Sequence, residues 1–233
     1  MNFTPQLQSS LLIKRYKRFL VDVETAKLGL FTIHCANTGA MTGCAEPGSS
    51  AWYSTSPNPK QKYPHSLELV TTKSGHWIGV NTHNANKIVK EALLAGQIDH
   101  LKGVKVETEV TLDNSRLEFK VTLNNTEHFI EVKSVTLCAE GSNIGYFPDT
   151  TSTRANKHLQ CLTKLAQQGK NAWLIDCVQY SAILQVRAAK HIAPEYAELL
   201  NQAKTAGVII KAFFCEISPK AIELTEEIPV FYE

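Results

Sequence analysis

The sequence of 233 residues lacks any apolar run close to the roughly 20 residues that a membrane-spanning helix needs. Its start, Met1-Asn2-Phe3-Thr4-Pro5, also lacks the charged segment and apolar core of a secretory signal. We therefore expect a cytoplasmic protein that has no membrane partner. The 43% of hydrophobic and 20% of charged residues are the usual mixture in a globular protein.

The sequence also lacks paired cysteines. Its six cysteines are scattered along the chain, and no two of them are separated by only two residues. Disulfide frameworks and zinc fingers depend on regular cysteine spacing. We therefore expect ordinary reduced thiols and no cysteine-bound metal.

A strong excess of positive charge is missing too. The chain has 24 Lys and Arg against 22 Asp and Glu, and a net charge of +2 is too small to identify a nucleic-acid partner. Phosphate binding depends on local clustering, however. Two clusters occur: Lys14, Arg15, Lys17 and Arg18 near the start, and Lys60 and Lys62 in a polar loop. They fit either a solvated basic surface or a phosphate-binding surface.

The first 80 residues have the pattern of short strands separated by turns. β-Branched and aromatic residues concentrate in residues 11–23, 31–35, 51–53, 67–72 and 77–80. Turn-forming residues such as Asn37-Thr38-Gly39 lie between these segments. Short strands at this density predict a small barrel or sandwich over residues 1–80, and an oligonucleotide-binding (OB) barrel is one candidate.

The remaining residues, 81–233, alternate between helical and strand-like patterns. Apolar residues between Ala85 and Leu93 recur at helical spacing, and the pattern stops at Gly96. Strands are predicted over residues 104–110, 116–123, 128–137, 172–178 and 208–216, and further helices over residues 153–169 and 195–206. This order predicts an α+β or α/β domain in which helices flank a mixed sheet.

The residues that could support chemistry lie in two neighbouring predicted strands. Glu118 lies in the first. Glu131 and Lys133 lie in the second and share a face, because side chains two apart on a strand project together. The linking Asn124-Asn125 tolerates the positive φ angles of a tight hairpin turn. A two-residue loop places Glu118 opposite Glu131. A four-residue loop keeps both on one face, whereas a three-residue loop separates them.

Two carboxylates that face each other repel, at a cost of up to about 1 kcal/mol. A divalent cation such as Mg²⁺ or Mn²⁺ would offset this repulsion, since Mg²⁺ binds one or two carboxylates together with water and phosphate. The cation could then generate hydroxide for attack on a phosphodiester, while Lys133 orients water or balances phosphate charge. The alternative is a surface salt bridge, which contributes only about 0–1 kcal/mol to stability.

The second predicted helix carries a basic stripe. Arg154, Lys157, His158 and Cys161 lie at positions i, i+3, i+4 and i+7, while leucines line another face. The stripe fits contact with a phosphate backbone, or else a solvated helix face. Glu91, on the polar side of the first helix, is a candidate for a further metal ligand, and the alternative is an ordinary exposed glutamate.

Several stretches of the chain resemble the sugar fermentation stimulation (SfsA) family. They are residues 15–19 (RYKRF), 34–43 (HCANTGAMTG), 131–137 (EVKSVTL) and 145–149 (GYFPD), followed by Arg154, Lys157, His158 and Leu159. The matches extend from Leu7 to the final predicted strand, so the resemblance covers nearly the whole chain.

The resemblance implies an OB-like β-barrel followed by a PD-(D/E)XK nuclease-like domain. It also implies non-specific DNA binding and a regulatory role in maltose metabolism. In the nuclease pattern, Glu118 takes the first acidic position, Glu131 and Lys133 take the second acid and the lysine, and Glu91 takes the helix glutamate. The family pattern usually has aspartate where this chain has Glu118. The longer side chain changes the geometry offered to Mg²⁺, which demands near-ideal coordination.

Three functions are consistent with these patterns. The first is a DNA-binding protein with a metal-dependent phosphodiesterase site, the second a DNA-binding regulator that does not cleave, and the third an interaction module without a nucleic-acid partner. The expected DNA contacts are Arg15, Lys17, Arg18, Lys60 and Lys62, with Arg154 and Lys157 near the metal. We expect them to contact phosphates, so that binding is largely independent of sequence.

Overall fold

The computed structural model describes residues 1–58, 60–112, 115–139 and 141–232. Within these ranges, no helix has the length and apolar character required to cross a membrane. The first six strands form one sheet. They are β1 (Gln8–Tyr16), β2 (Leu20–Thr25), β3 (Gly29–His34), β4 (Ser50–Thr55), β5 (His65–Thr71) and β6 (Trp77–Gly79).

The N-terminal sheet closes into a barrel. β1 pairs antiparallel with both β2 and β4, and the end of β3 meets the start of β5 in parallel through His34 and Ser66. The closed order is therefore β1-β2-β3-β5-β4, and β6 extends the sheet beyond β5. This closed barrel of five strands confirms the predicted OB-like fold.

One predicted segment of the barrel consists of two strands. Residues 11–23 are interrupted by a turn at Lys17 and Arg18, whose φ angles are 50° and 66°. The turn contains no glycine, asparagine or proline, which are the residue types that normally indicate a turn. The composition of this segment therefore could not reveal the turn between β1 and β2. The turn places both basic side chains at the tip of the β1–β2 hairpin.

The second part of the chain contains helices α1 (Asn84–Leu94), α2 (Thr153–Gln167) and α3 (Pro194–Thr205). Its strands are β7 (Lys105–Leu112), β8 (Ser115–Leu123), β9 (Thr126–Val135), β10 (Leu137–Cys138), β11 (Ile144–Phe147), β12 (Asn171–Val178), β13 (Gln185–Ala188), β14 (Ile209–Ile217), β15 (Ile222–Ile228) and β16 (Val230–Phe231). The helices agree closely with the predicted ones.

The main sheet of this part has the order β15-β14-β12-β9-β8-β7. β9, β12 and β14 run parallel, and the other neighbours are antiparallel. The predicted mixed sheet is thereby confirmed. A smaller sheet, in the order β10-β11-β13-β16, was not predicted, because its strands are only two to four residues long and give no periodic pattern.

The β8–β9 hairpin has the predicted two-residue turn. Asn124 and Asn125 have φ angles of 49° and 64°, and Leu123 pairs with Thr126. Both positive φ angles belong to the type I′ turn that fits the twist of two antiparallel strands. From the turn the register continues without a shift to the pairing of β8 with β9 at Ile130. Glu118 and Glu131 follow directly after this last pair.

Both faces of the main sheet are covered. Trp173 and Ile175 of β12 pack with α1, whereas Ala172 and Leu174 pack with α2 and α3. Side chains alternate between the faces of a sheet, so burial on both sides explains why β12 is a continuous apolar run. The barrel joins the core beneath α1 through Leu69 of β5.

A buried carboxylate links the barrel to α1. Glu68 of β5 accepts hydrogen bonds from Asn81 Nδ2 at 2.9 Å and from Asn84 Nδ2 at 2.8 Å. Its other oxygen accepts a hydrogen bond from Ser54 Oγ at 2.6 Å. A buried carboxylate is costly unless it is hydrogen-bonded, so these contacts fix the start of α1 against the barrel.

The first residues of the chain contact the second part. Phe3 N donates to Lys220 O at 2.8 Å, and Ile222 N donates to Met1 O at 2.9 Å. Residues 1–3 therefore extend the edge of the main sheet at β15. The predicted division of the chain near residue 80 remains a prediction.

Asp176 of β12 is a second buried carboxyl group, but it is poorly compensated. Its side chain is buried, and its Oδ1 has no hydrogen-bond partner among the described residues. Burial raises the pKa of Asp176 to about 7, and the positive charge of Lys133 opposes this shift only partly. The carboxyl group is therefore protonated in the folded protein over much of the acidic range.

We predict that Asp176 makes stability fall as pH rises. The folded protein holds this proton up to about pH 7, whereas the unfolded chain releases it near 3.8. The folded state therefore binds more protons between these values, and the free energy of unfolding decreases through that window. Asp176→Asn should not lose stability in this way. Between pH 4 and pH 8, its free energy of unfolding should therefore rise relative to that of the wild type by a few kcal/mol, at roughly 1.4 kcal/mol for each pKa unit.

Urea unfolding at a series of pH values measures this difference. Asp99→Asn is the matched control, because Asp99 is exposed and pairs with Lys102 at 3.0 Å. The free energy of unfolding of Asp99→Asn should not rise relative to that of the wild type as pH increases. The prediction would be contradicted if the free energies of unfolding of Asp176→Asn and the wild type differed by the same amount at every pH.

Candidate functional site

A pocket of about 310 Å³ lies where the β8–β9 ladder, α1, the start of α2 and the barrel come together. Its walls include the predicted site residues Glu118, Glu131 and Lys133. The other residues that matter for its chemistry are Asn37, His83, Asn86, Ser134, Tyr146, Asp149 and Arg154. The pocket thus combines residues of β8 and β9 with residues of the barrel and of two helices.

Glu131 is the most buried ionisable group of the pocket, with 1% of its side chain exposed. Its Oε1 accepts a hydrogen bond from Lys133 Nζ at 2.6 Å and also contacts His158 Nδ1. Its Oε2 is buried and has no hydrogen-bond partner among the described residues. One oxygen therefore contacts two side chains, whereas the other has no protein partner in the described part of the chain.

The prediction that His158 lies on a basic stripe, apart from the leucine face of α2, is wrong. His158 is buried beside Glu131, and its Nδ1 lies 3.2 Å from Lys133 Nζ. The apolar residues Ala155, Leu159 and Leu162 define the inner face of α2. His158 has the helical phase of this inner face, which was the signal for its burial.

Glu118 is more accessible than Glu131 and has weaker partners. Asn86 Nδ2 of α1 donates to its Oε2 at 2.5 Å, and Arg154 of α2 lies 3.9 Å from its Oε1. Two helices on opposite sides of the sheet therefore both reach this carboxylate. Asn86 was not singled out in the sequence, because nothing in its neighbourhood distinguishes it from an exposed helix residue.

The two carboxyl groups have pKa values shifted in opposite directions. Burial, together with the negative charge of Glu131, raises the pKa of Glu118. Burial also acts to raise the pKa of Glu131, but the hydrogen bond from His158 and the charge of Lys133 outweigh it and lower that pKa. The two carboxylates are thus electrostatically close, and such divergent environments are typical of functional carboxyl pairs.

Glu91 lies outside the pocket. Its carboxylate is 2.7 Å from the N-terminal amine of Met1, and 57% of its side chain is exposed. From α1, the residue that approaches the two carboxylates is Asn86, five positions earlier. The expected role of Glu91 as a metal ligand therefore has no support from its position.

The side chains of the pocket fit a cation site with two carboxylates. In the described part of the chain, no three or more His, Cys, Asp and Glu residues are arranged to hold a metal ion. Mg²⁺, however, commonly uses only one or two carboxylates and completes its shell with water and substrate phosphate. Glu118 and Glu131, whose Oε2 has no hydrogen-bond partner among the described residues, are two carboxylates of this type in one pocket.

Basic side chains continue from the pocket along α2. Arg154 lines both the pocket and a neighbouring open cavity of about 320 Å³. Lys157 and Arg116 line that cavity too, and the side chains of all three are exposed. A phosphate backbone that crossed this cavity would meet several positive charges before it reached Glu118 and Glu131.

The barrel presents its basic residues in two loops. Lys17 and Arg18 are exposed in the β1–β2 turn, and Lys60 and Lys62 are exposed between β4 and β5. OB-folds bind oligonucleotides with these two loops and the face of the second and third strands. Arg15 differs from the other four, because its guanidinium is occupied by backbone carbonyls, among them Arg18 O at 2.7 Å.

Comparison with protein-family models gives two matches that together span most of the chain. Residues 13–80 match the model described as the SfsA N-terminal OB domain. Residues 83–221 match the model described as the sugar fermentation stimulation protein RE domain.

Similar proteins are known over the whole length of the chain. A sugar fermentation stimulation protein homolog of Psychromonas ingrahamii is 47% identical, over 93% of this chain and 98% of the relative. A homolog of Pseudoalteromonas atlantica is 45% identical, over 99% of both chains. A solved structure, described as that of Pyrococcus furiosus SfsA in complex with Ca²⁺, superimposes with a TM-score of 0.88 at 26% identity, covering 99% of this chain and 98% of the other.

Proposed function

Since the chain belongs to the sugar fermentation stimulation protein family, we propose that it binds DNA largely without regard to sequence. We further propose that it carries a divalent-metal-dependent phosphodiesterase site. In this proposal Glu118 and Glu131 hold Mg²⁺ or Mn²⁺, and Lys133 acts on the phosphate. DNA is the partner, and the basic side chains of α2 and of the two barrel loops contact its backbone.

The state of Glu131 is the observation that carries the proposal. A glutamate buried to this degree is costly, and the hydrogen bonds of Lys133 and His158 compensate only its Oε1. Its Oε2 is buried without a partner among the described residues, in a pocket that also contains Glu118. A purely structural ion pair would be expected to satisfy both oxygens.

A cation at this position is supported by the chemistry of the two carboxylates and by a relative. The structure of Pyrococcus furiosus SfsA is described as a complex with Ca²⁺, which, like Mg²⁺, prefers oxygen ligands. A bound Mg²⁺ or Mn²⁺ would supply a Lewis acid and an activated water. Glu118 and Glu131 would hold the cation, and Asn86 would orient Glu118 through its hydrogen bond.

Lys133 and His158 have separate roles in this proposal. Lys133 Nζ lies at the pocket with 10% of its side chain exposed, where it can stabilise the charge that develops on a phosphate oxygen. His158 is buried behind Glu131 and holds that carboxylate in place from α2. Removal of His158 should therefore affect the position of Glu131 more than the charge at the phosphate.

Two observations favour a second candidate function, a DNA-binding regulator that does not cleave DNA and acts in sugar metabolism. Lys133 is already paired with Glu131, so its charge is partly used within the protein. Glu118 also stands where the family pattern usually has aspartate, which changes the geometry offered to a small cation. In this second reading the pocket binds a cation and phosphate without chemistry.

We predict metal-dependent cleavage of DNA that requires Glu131 and Lys133. Linear, nicked and branched DNA should be incubated with Mg²⁺ or Mn²⁺. Glu131→Gln removes the charge that holds the cation, and Lys133→Ala removes the charge at the phosphate, so each should lower the cleavage rate at least about 100-fold. Glu127→Gln is the matched control on β9, because Glu127 is exposed and its carboxylate pairs with Lys120 outside the pocket.

Two results would contradict the cleavage proposal. Cutting that survives in Glu131→Gln would assign the activity to another site or to a contaminant. Absence of cutting by the wild type on all substrates, with the DNA still bound, would leave the non-cleaving regulator as the function.

We also predict that DNA binding weakens steeply as salt increases. Each basic side chain that neutralises a phosphate contributes about one unit to the slope of log affinity against log salt. Arg154→Ala and Lys157→Ala should each lower this slope by about one and weaken binding to all sequences alike. Lys220→Ala, an exposed lysine between β14 and β15, should change neither quantity.

Fluorescence anisotropy with duplexes of unrelated sequence provides the measurement. Binding that is absent, or that does not respond to salt, would contradict a phosphate contact and favour an interaction module without a nucleic-acid partner.

A further inference from the structure

We infer that the barrel contributes a substrate-binding residue to the pocket: Asn37 donates a hydrogen bond to a DNA phosphodiester, and Arg15 is the positioning residue that holds Asn37 there. The inference rests on the proposed function, which places a phosphodiester beside Glu131 and Lys133. It assigns to Arg15 a role different from the phosphate contact that the sequence predicted.

Asn37 lies in the loop after β3 and lines the same pocket as Glu118, Glu131 and Lys133. The backbone N–H of Gly39 donates to Asn37 Oδ1 at 2.8 Å. This bond fixes the orientation of the amide, because only the oxygen can accept. The amide nitrogen of Asn37 makes no hydrogen bond to any described residue, so the pocket contains a neutral donor without a protein partner.

Such a donor suits a phosphate oxygen. Asparagine side chains are among the groups that contact the phosphate backbone of DNA. The pocket already contains the carboxylates of Glu118, Glu131 and Asp149, and a neutral donor binds an anion there without forming another internal ion pair. Asn37 would thus bind the phosphate from the barrel, whereas Glu131 and Lys133 belong to β9.

Arg15 holds the loop that carries Asn37. One terminal nitrogen of its guanidinium lies 2.7 Å from Arg18 O, 2.9 Å from Gly39 O and 3.0 Å from Asn37 O. The other terminal nitrogen lies 3.5 Å from Ala40 O. The side chain therefore joins the β1–β2 turn to residues 37–40. Its terminal nitrogens are used within the protein, and its Nε is buried without a hydrogen-bond partner among the described residues. A phosphate-binding arginine would instead present these donors to the ligand.

Gly39 places the same loop directly against the second part of the chain. A Cβ atom at this position would lie 2.3 Å from Asp149 Oδ2 and 3.0 Å from Asn37 Oδ1. No side chain can be accommodated there unless Asp149 or the loop moves. The loop that carries Asn37 therefore packs closely against Asp149, which also lines the pocket.

The test measures the affinity of the full chain and its variants for a short DNA duplex in the presence of Ca²⁺. Ca²⁺ prefers oxygen ligands, as Mg²⁺ does, but it does not demand the octahedral geometry of Mg²⁺. Asn37→Ala and Asn37→Asp should each lower the affinity about tenfold or more, the effect of losing a hydrogen bond to a charged group. Asn37→Asp keeps the acceptor for Gly39 N, so it removes the donor while the hydrogen bond that holds the loop is retained.

Arg15 is tested by the salt dependence of the same binding. Arg15→Ala should lower the affinity as the Asn37 variants do but leave the slope against salt unchanged, because Arg15 does not neutralise a phosphate. Arg15→Lys should fail to restore the affinity, since an ammonium cannot reproduce the planar fork that reaches several carbonyls. Arg18→Ala is the contrasting variant: its side chain is exposed in the adjacent turn, and its loss should lower the slope by about one.

The outcomes separate this inference from the proposed function. If the wild type binds the duplex and both Asn37 variants bind equally well, Asn37 is not a substrate contact and the inference alone is wrong. If Asn37→Asp binds the duplex as the wild type does and Asn37→Ala does not, Asn37 acts only by accepting the hydrogen bond of Gly39 N. This result would also contradict the inference. A slope lowered by one in Arg15→Ala would make Arg15 a phosphate contact. If the wild type does not bind DNA at all, the proposed function fails and the inference falls with it.

Discussion

The buried carboxylate of Glu131 is the constraint on which the arrangement of the pocket depends. A charge with 1% exposure must be compensated inside the protein. Lys133, two residues along the same strand, and His158, from the inner face of α2, both approach one of its oxygens. This requirement fixes how α2 lies over the main sheet and brings Arg154 to Glu118, while the second oxygen of Glu131 stays without a protein partner among the described residues.

A second constraint joins the barrel to this arrangement. The buried Glu68 accepts hydrogen bonds from the start of α1, and α1 carries Asn86 to Glu118. On another side of the pocket, Arg15 holds the loop of Asn37. The barrel is therefore more than an additional binding module, because its buried polar contacts determine the walls of the pocket in the second part.

Local sequence patterns predicted those features that depend on neighbours in the chain. Asn124-Asn125 fixed the turn of the β8–β9 hairpin and, through the alternation of strands, the common position of Glu118 and Glu131. Contacts between distant elements could not be predicted in this way. Nothing in the local pattern of Glu91 reveals that it pairs with the N-terminus, and nothing near Asn37 reveals that its loop crosses to Asp149. His158 is intermediate: it was predicted on the basic stripe of α2, although its helical phase also matches the buried face, and no pattern indicated its partner.

In the proposed function Glu118 and Glu131 form a divalent-cation site, and calorimetric titration of the protein with Mn²⁺ measures binding at that site. We expect one site in the wild type that is lost in Glu131→Gln and weakened in Glu118→Gln. Glu91→Gln should bind Mn²⁺ as the wild type does, because Glu91 lies outside the pocket. Undiminished binding in Glu131→Gln, or binding lost in Glu91→Gln, would contradict the account.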